Sequence, residues 1–235
     1  MAIFVLVHGG WHGGWCWKRL SPLLRAAGHD VYTPTLTGLG ERAHLLTPEV
    51  NLRTHIDDIV QVLHYEDLSH VLLVGHSYAG LVISGVADRV PERLAQLIYL
   101  DAYVPRAGES VEEAFGPEAY AQLAEQARTT EEGWFIPPPP SDDFGITAEA
   151  DVVWMQERLR PHPFGRQQQP LHLLTTPAAR ALARAFIFCT ATTQFESYAK
   201  WVRADSAWRY IELTAGHDAM VTAPHELAGV LIGLA

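Results

Sequence analysis

The stretch Val71-Leu72-Leu73-Val74-Gly75-His76-Ser77-Tyr78-Ala79-Gly80 constrains the fold more than any other part of the chain. Four apolar residues run into a Gly-X-Ser-X turn, and Leu81, Val82, Ile83, Gly85 and Val86 follow as a second apolar segment. Buried strand, tight turn and helix are the units such a pattern makes. A nucleophile elbow presents its serine in this setting, on backbone so strained that the positions two residues to either side must be small. Gly75 fills the first of these, and Ala79, eased by Gly80 behind it, the second.

The same alternation of strand and helix recurs along the chain. Ile3 to Val7 reads as a strand covered on both faces, ending in the glycine loop His8-Gly9-Gly10-Trp11-His12-Gly13-Gly14. A helix is expected from Trp15 to Ala27, stopped by Gly28, then a short strand Asp30 to Thr33 and a loop from Thr35 to Pro48. Leu52 to Leu68 has helical spacing, the elbow helix runs to Arg89, and Leu94 to Leu100 is the next strand, closed by Asp101. Later come strand 185–189, helix 195–204, strand 208–213 and a terminal helix 224–234. Between them, residues 102–177 hold most of the prolines, a charged helix-like run at Glu112 to Arg128 and several aromatics. We expect an α/β fold: a doubly wound, mainly parallel sheet of about six strands, built from residues 1–101 and 178–235, with a helical cap at 102–177.

At 235 residues and 48% hydrophobic the chain suffices for one sizeable core. A formal charge of −10 disfavours nucleic acid or an anionic membrane as main partner, because both call for clustered Lys and Arg. Cys16 and Cys189 lie too far apart in sequence for a metal-type motif, and their apolar surroundings suit buried thiols rather than a disulfide framework. The apolar N-terminus is too short for a membrane span and lacks the marks of a signal peptide, so a cytoplasmic protein is expected. A homodimer is compatible with this composition.

A serine hydroxyl becomes a useful nucleophile when a histidine takes its proton and a carboxylate fixes that histidine's tautomer. His217, in Thr214-Ala215-Gly216-His217-Asp218-Ala219-Met220, follows the last strand on a loop opened by glycine. The loop after Cys189, Thr190-Ala191-Thr192-Thr193-Gln194, has no carboxylate, whereas Asp101 closes an apolar strand. A carboxylate there is costly to bury without a partner. Asp101 is therefore the expected acid, with Glu196 or Asp205 as alternatives. The N–H groups of Tyr78, directly after the serine, and of Gly10, in the first glycine loop, are the expected oxyanion donors. Neither glycine loop spells a nucleotide-binding motif, and His8 and His12 lie in a glycine loop where helical ligand spacing does not hold, so neither cofactor nor metal is expected.

The first strand with its His8-Gly9-Gly10-Trp11-His12-Gly13-Gly14-Trp15 loop, the segment Gly75 to Gly80 and the His217 segment together resemble one branch of the α/β-hydrolases. That branch holds plant methyl esterases of the salicylate-binding type, hydroxynitrile lyases and small bacterial esterases. The resemblance covers the core from end to end and is weakest in the cap. It implies a serine hydrolase, with Ser77 as nucleophile and His217 as base, that hydrolyses small, largely apolar carboxylic esters through an acyl-enzyme; the lack of an acid after Cys189 departs from the plant enzymes, and Asp101 rests on the reading of the residues above. The lyases of the branch carry a threonine after the first-loop histidine and a lysine after the catalytic one. Gly9 and Asp218 stand at those positions here, which favours ester hydrolysis over C–C lysis; a receptor with slow turnover is the other alternative. Trp11, Tyr103, Trp134, Phe135, Trp154 and Met220, beside Tyr78, are the expected lining of the pocket.

Overall fold

The computed structural model describes residues 1–164 and 171–235; residues 165–170 of the expected cap lie outside them. Its central sheet has six strands: β1 (Ile3–Val7), β2 (Asp30–Tyr32), β3 (Val71–His76), β4 (Leu94–Leu100), β7 (Ala183–Cys189) and β8 (Trp208–Leu213). Their order is β2-β1-β3-β4-β7-β8, and every pairing is parallel. A two-stranded antiparallel ribbon, β5 (Phe135–Ile136) with β6 (His162–Pro163), stands apart from it.

Alternation along each strand divides the core in two. Val5, Val7, Leu73 and Tyr99 pack beneath α2 (Leu52–Tyr65), α3 (Ala79–Arg89) and α8 (Glu196–Ala204). Phe4, Leu6, Val74 and Ile98 pack on the other side against Trp17, α1 (Ser21–Ala26), α9 (Ala219–Thr222) and α10 (Pro224–Ile232). Both faces are thus covered, which is why β1 and the Val71-Leu72-Leu73-Val74 part of β3 read as unbroken apolar runs.

Between β4 and β7 the alternation gives way to α4 (Val111–Phe115), α5 (Pro117–Thr129), α6 (Glu149–Gln156), the ribbon and α7 (Pro177–Ala181). Three local expectations are corrected. The charged run at 112–128 is two helices, because Gly116 takes φ +86° and Pro117 restarts the helix. The helix expected over 15–27 is a 3-10 turn, Gly14–Lys18, followed by α1, since Pro22 lacks the N–H that a continuous helix would use. The loop at 35–48 contains a 3-10 helix, Gly40–Leu45. Among the described residues, no helix is long and apolar enough to cross a membrane.

Candidate active site

Ser77 follows β3 and precedes α3, at φ +55° and nearly buried. Its neighbours hold that strain in place. Ser77 N–H donates to Leu100 O at 3.2 Å, while Ser77 O accepts from Gly80 N–H at 3.1 Å and Tyr103 N–H at 3.2 Å. The need for small residues is local and specific. A methyl group on Gly75 would come within 2.6 Å of Ala79 O, and one on Gly80 would collide with Tyr103 O. Gly80 thus has no room for a side chain, while the Ala79 methyl fits fully buried. Gly80→Ala should destabilise the fold by about 3 kcal/mol, as overpacking against backbone does. A shift of the urea midpoint without a change of slope is the measurement.

Asp101 lies one residue beyond β4, fully buried, at φ +41°. Its Oδ2 is 2.6 Å from His217 Nδ1. Cys189 N–H donates to Oδ1 at 3.2 Å and Thr192 Oγ1 to Oδ2 at 3.4 Å. Because the carboxylate accepts, Nδ1 carries the proton and Nε2 keeps its lone pair. The other carboxylates considered are elsewhere: Glu196 pairs with Lys200 at 3.1 Å on the surface, and Asp205 bonds Ala207 N–H at 3.0 Å.

His217 is clamped by rings and by backbone. Phe195 and Phe144 lie near-parallel to it, with centroids at 5.2 and 6.4 Å, and His76 packs at 4.4 Å. The inserted segment holds the loop as well, since Asp218 N–H donates to Phe144 O at 3.1 Å. Gly216 and Gly145 pass so closely that a Cβ on Gly216 would sit 2.9 Å from Gly145 O.

Behind His217 is a buried pair that sequence reasoning missed. His12 Nε2–H donates to Asp218 Oδ2 at 2.9 Å and Nδ1–H donates to Gly10 O at 2.6 Å, both residues being sealed from solvent. Burial alone would lower the His12 pKa, but the Asp218 carboxylate outweighs it and the net shift is upward. Burial likewise pushes Asp218 up, and His12 more than compensates, leaving it lowered. The pair therefore ties the first glycine loop to the histidine loop as an ion pair. The only sequence signal was a carboxylate directly after His217.

Breaking a buried pair from one side costs about 3 kcal/mol or more, and this is the destabilisation expected of Asp218→Asn. Its pH dependence has a definite sign. A raised His12 pKa gives stability that is complete below the ordinary value of 6.5 and fades as pH rises through the folded value. The difference in unfolding free energy between wild type and Asp218→Asn should accordingly shrink from pH 6 to pH 9, as denaturant titrations would measure.

His8 and His55 stay neutral. Leu36 N–H donates to His8 Nε2 at 3.0 Å, so Nδ1–H donates to Gly9 O at 2.8 Å; burial lowers the pKa of His8 to about 3. His55 Nε2–H donates to Thr37 O at 3.0 Å, leaving Nδ1 to accept from the Tyr78 hydroxyl at 2.9 Å; burial brings it to about 4. His8 and His12 thus face different partners.

A cavity of about 130 Å³ opens over Ser77. The core contributes Gly10, Trp11, Leu52 and Tyr78, and the inserted segment contributes Tyr103, Phe115, Tyr120, Ile136 and His162. The structure thus brings Trp11 and Tyr103 to the cavity wall and leaves four other expected residues off it. Met220 is fully buried in the core on the side of α9 and α10. Trp154 packs edge-on against Trp15 at 5.0 Å, under the guanidinium groups of Arg19 and Arg158. Phe135 alternates with Ile136 on the ribbon, so Ile136 takes the cavity side while Phe135 meets Trp134 edge-on at 5.4 Å.

A doubly wound parallel sheet with a serine on a strained strand-to-helix turn defines the class, an α/β enzyme of the nucleophile-elbow kind. The chain belongs to the alpha/beta hydrolase family, whose profile matches residues 4–230. It is 40% identical, over the whole of both chains, to the carbendazim hydrolyzing esterase of Nocardioides sp. (strain SG-4G). Identity to salicylic acid-binding protein 2 of Nicotiana tabacum is 29%, over 99% of this chain and 96% of that one. Among solved structures, an extracellular alpha/beta-hydrolase from a Paenibacillus species superposes with a TM-score of 0.83 at 25% identity, covering 99% of this chain and 98% of that one. Carboxylic ester hydrolysis is the reaction class of this chain.

Proposed function

We propose that the protein is a serine esterase acting on small, largely apolar carboxylic esters through an acyl-enzyme. The observation that carries this reading is the buried 2.6 Å contact of His217 Nδ1 with Asp101, set beside the strained turn of Ser77 under an aromatic cavity. Ser77 Oγ attacks the carbonyl carbon as His217 Nε2 takes its proton. Asp101 holds the tautomer and offsets the charge of the imidazolium. The developing oxyanion is held by Tyr78 N–H, which opens α3 and so has no carbonyl partner within it, and by Gly10 N–H. His217 passes its proton to the leaving alkoxide; water, deprotonated by His217, then attacks the acyl-enzyme and releases the acid.

Residues 102–177 act as the cap and residues 1–101 with 178–235 as the core, in keeping with a cavity wall drawn from both. The free buried thiols of Cys16 and Cys189 suit a reducing, cytoplasmic setting. At position 9, a Cβ would lie 2.9 Å from Ser77 Cβ and 3.0 Å from His76 Nδ1, so the branched side chain that the lyases carry there has no room. Asp218, at the other lyase position, is committed to His12. Hydrolysis of phenyl acetate is the direct test, with carbendazim as a second substrate. Folded protein that turns over neither would overturn the esterase reading in favour of a ligand-binding role.

A further inference from the structure

The loop that carries Gly10 N–H is built of residues that do not fix a peptide plane by themselves. Between β1 and the 3-10 turn Gly14–Lys18 it reads His8-Gly9-Gly10-Trp11-His12-Gly13, and glycine backbone is the freest of all. Its middle is also strained, since Trp11 sits at φ +63°. Two histidine rings grip it. His8 Nδ1–H donates to Gly9 O at 2.8 Å and His12 Nδ1–H to Gly10 O at 2.6 Å. These carbonyls belong to the two peptide planes that meet at Gly10, so the rings together set the direction of Gly10 N–H.

The two rings differ in charge. His8 Nε2 accepts from Leu36 N–H, so that ring is neutral. His12 faces an acceptor on each nitrogen, Gly10 O and, at 2.9 Å, Asp218 Oδ2, so its ring carries two protons and a charge. Asp218 follows His217 directly, and the grip on Gly10 is thereby anchored in the loop of the general base. The other titratable groups around the pair are uncharged: burial keeps His8 and His76, the latter edge-on to His12 at 6.1 Å, neutral, and holds the Cys16 thiol protonated beside Asp218. Trp15 stacks on the His12 ring at 5.4 Å and Phe144 meets it edge-on at 5.1 Å, which leaves the ring no room to turn away. On losing one proton the ring keeps the N–H that faces the carboxylate. It then turns a lone pair on Gly10 O at 2.6 Å, and two acceptors at that distance repel.

We propose that His12, anchored by Asp218, is a positioning residue of the oxyanion hole: its doubly protonated ring holds Gly10 N–H toward the developing oxyanion, and loss of one ring proton lets that N–H swing away. This rests on the esterase reading and adds to it a residue that touches neither substrate nor reacting atoms yet sets the rate and its alkaline limit. Burial lowers the His12 pKa and the Asp218 carboxylate more than reverses this, so the grip is intact at neutral pH and is lost above it. His217 governs the opposite limb, because a general base acts only when unprotonated. The profile of kcat therefore rises as His217 gives up its proton and falls at higher pH as His12 does.

The test follows kcat and KM for phenyl acetate from about pH 6 to about pH 10 in wild type and two double variants, with urea unfolding at each pH to show that the chain is folded. His12→Phe/Asp218→Leu removes both partners at once, an exchange that buried ion pairs tolerate in stability. Its kcat should fall on the order of 100-fold, the scale of one lost oxyanion donor, while KM moves by less than about twofold and the alkaline limb disappears. His12→Asn/Asp218→Leu puts an amide donor at the place of Nδ1, with no proton to lose. It should recover most of kcat and stay flat at alkaline pH, a rescue that a merely structural role would not give. Wild-type kcat in the phenylalanine variant, or an alkaline limb that persists in the asparagine variant, would overturn the role of His12 and leave the esterase reading standing. If neither variant folds, the wild-type profile decides, and a kcat flat to about pH 10 overturns the proposal. Wild-type protein inactive on every ester would remove both.

Discussion

Ser77→Ala is expected to lower kcat on phenyl acetate by on the order of 10⁶, the scale of triad deletions in other serine hydrolases. Removing Oγ abolishes the acyl-enzyme route, and what remains is the attack of water on an ester held against Tyr78 and Gly10 N–H. The substitution itself is small: Ser77 is already folded at φ +55° by bonds through its backbone N–H and O, not its side chain. Urea unfolding should therefore change little while turnover collapses. Near-normal kcat in the variant would mean that another group attacks.

Asp101→Asn should cost about 10⁴ in kcat with little change in KM. Two donors, Cys189 N–H at 3.2 Å and Thr192 Oγ1 at 3.4 Å, already point at this side chain. An asparagine would keep its oxygen at the Oδ1 place, where Cys189 N–H donates, and put its NH2 at the Oδ2 place, toward His217 and Thr192 Oγ1. Nδ1 would then become an acceptor, Nε2 would carry the proton, and the imidazole could no longer take one from Ser77. Glu196→Gln is the control, since Glu196 is engaged with Lys200 on the surface, and it should leave kcat unchanged. A large loss in that variant with normal rates in Asp101→Asn would reassign the acid.

The sheet was legible because its strands are short apolar runs, and β4 and β8 fall on the residues where the apolar pattern begins and ends. Asp101 could be singled out because a lone carboxylate closing such a run demands a partner, and the structure supplies His217. What could not be read depends on contacts remote in sequence. His12 and Asp218 are 206 residues apart, and nothing local marks them as a pair. His162 sits on a two-residue strand that has no periodicity to reveal it. Trp154 carries the same aromatic signal as Trp11, yet only Trp11 meets the cavity, because the folding of the insertion decides which rings turn inward. Among the described residues, three of the six non-glycine positions at positive φ are Trp11, Ser77 and Asp101; such strain gathers at the chemistry and leaves no mark in composition.

The stitching of residues 100–103 to the serine turn bears on how such a chain can diversify. Leu100 O accepts from Ser77 N–H, Asp101 N–H donates to Ile187 O at 2.8 Å and Tyr103 N–H donates to Ser77 O. The segment after β4 thus departs from a base already fixed to Ser77 and Asp101. Beyond that base, its sequence can drift, lengthen or be exchanged between relatives while the reacting groups keep their registration. Selection can then retune which molecules are admitted without relearning the reaction, except at the Gly145 crossing of Gly216, where insertion and histidine loop would have to change together.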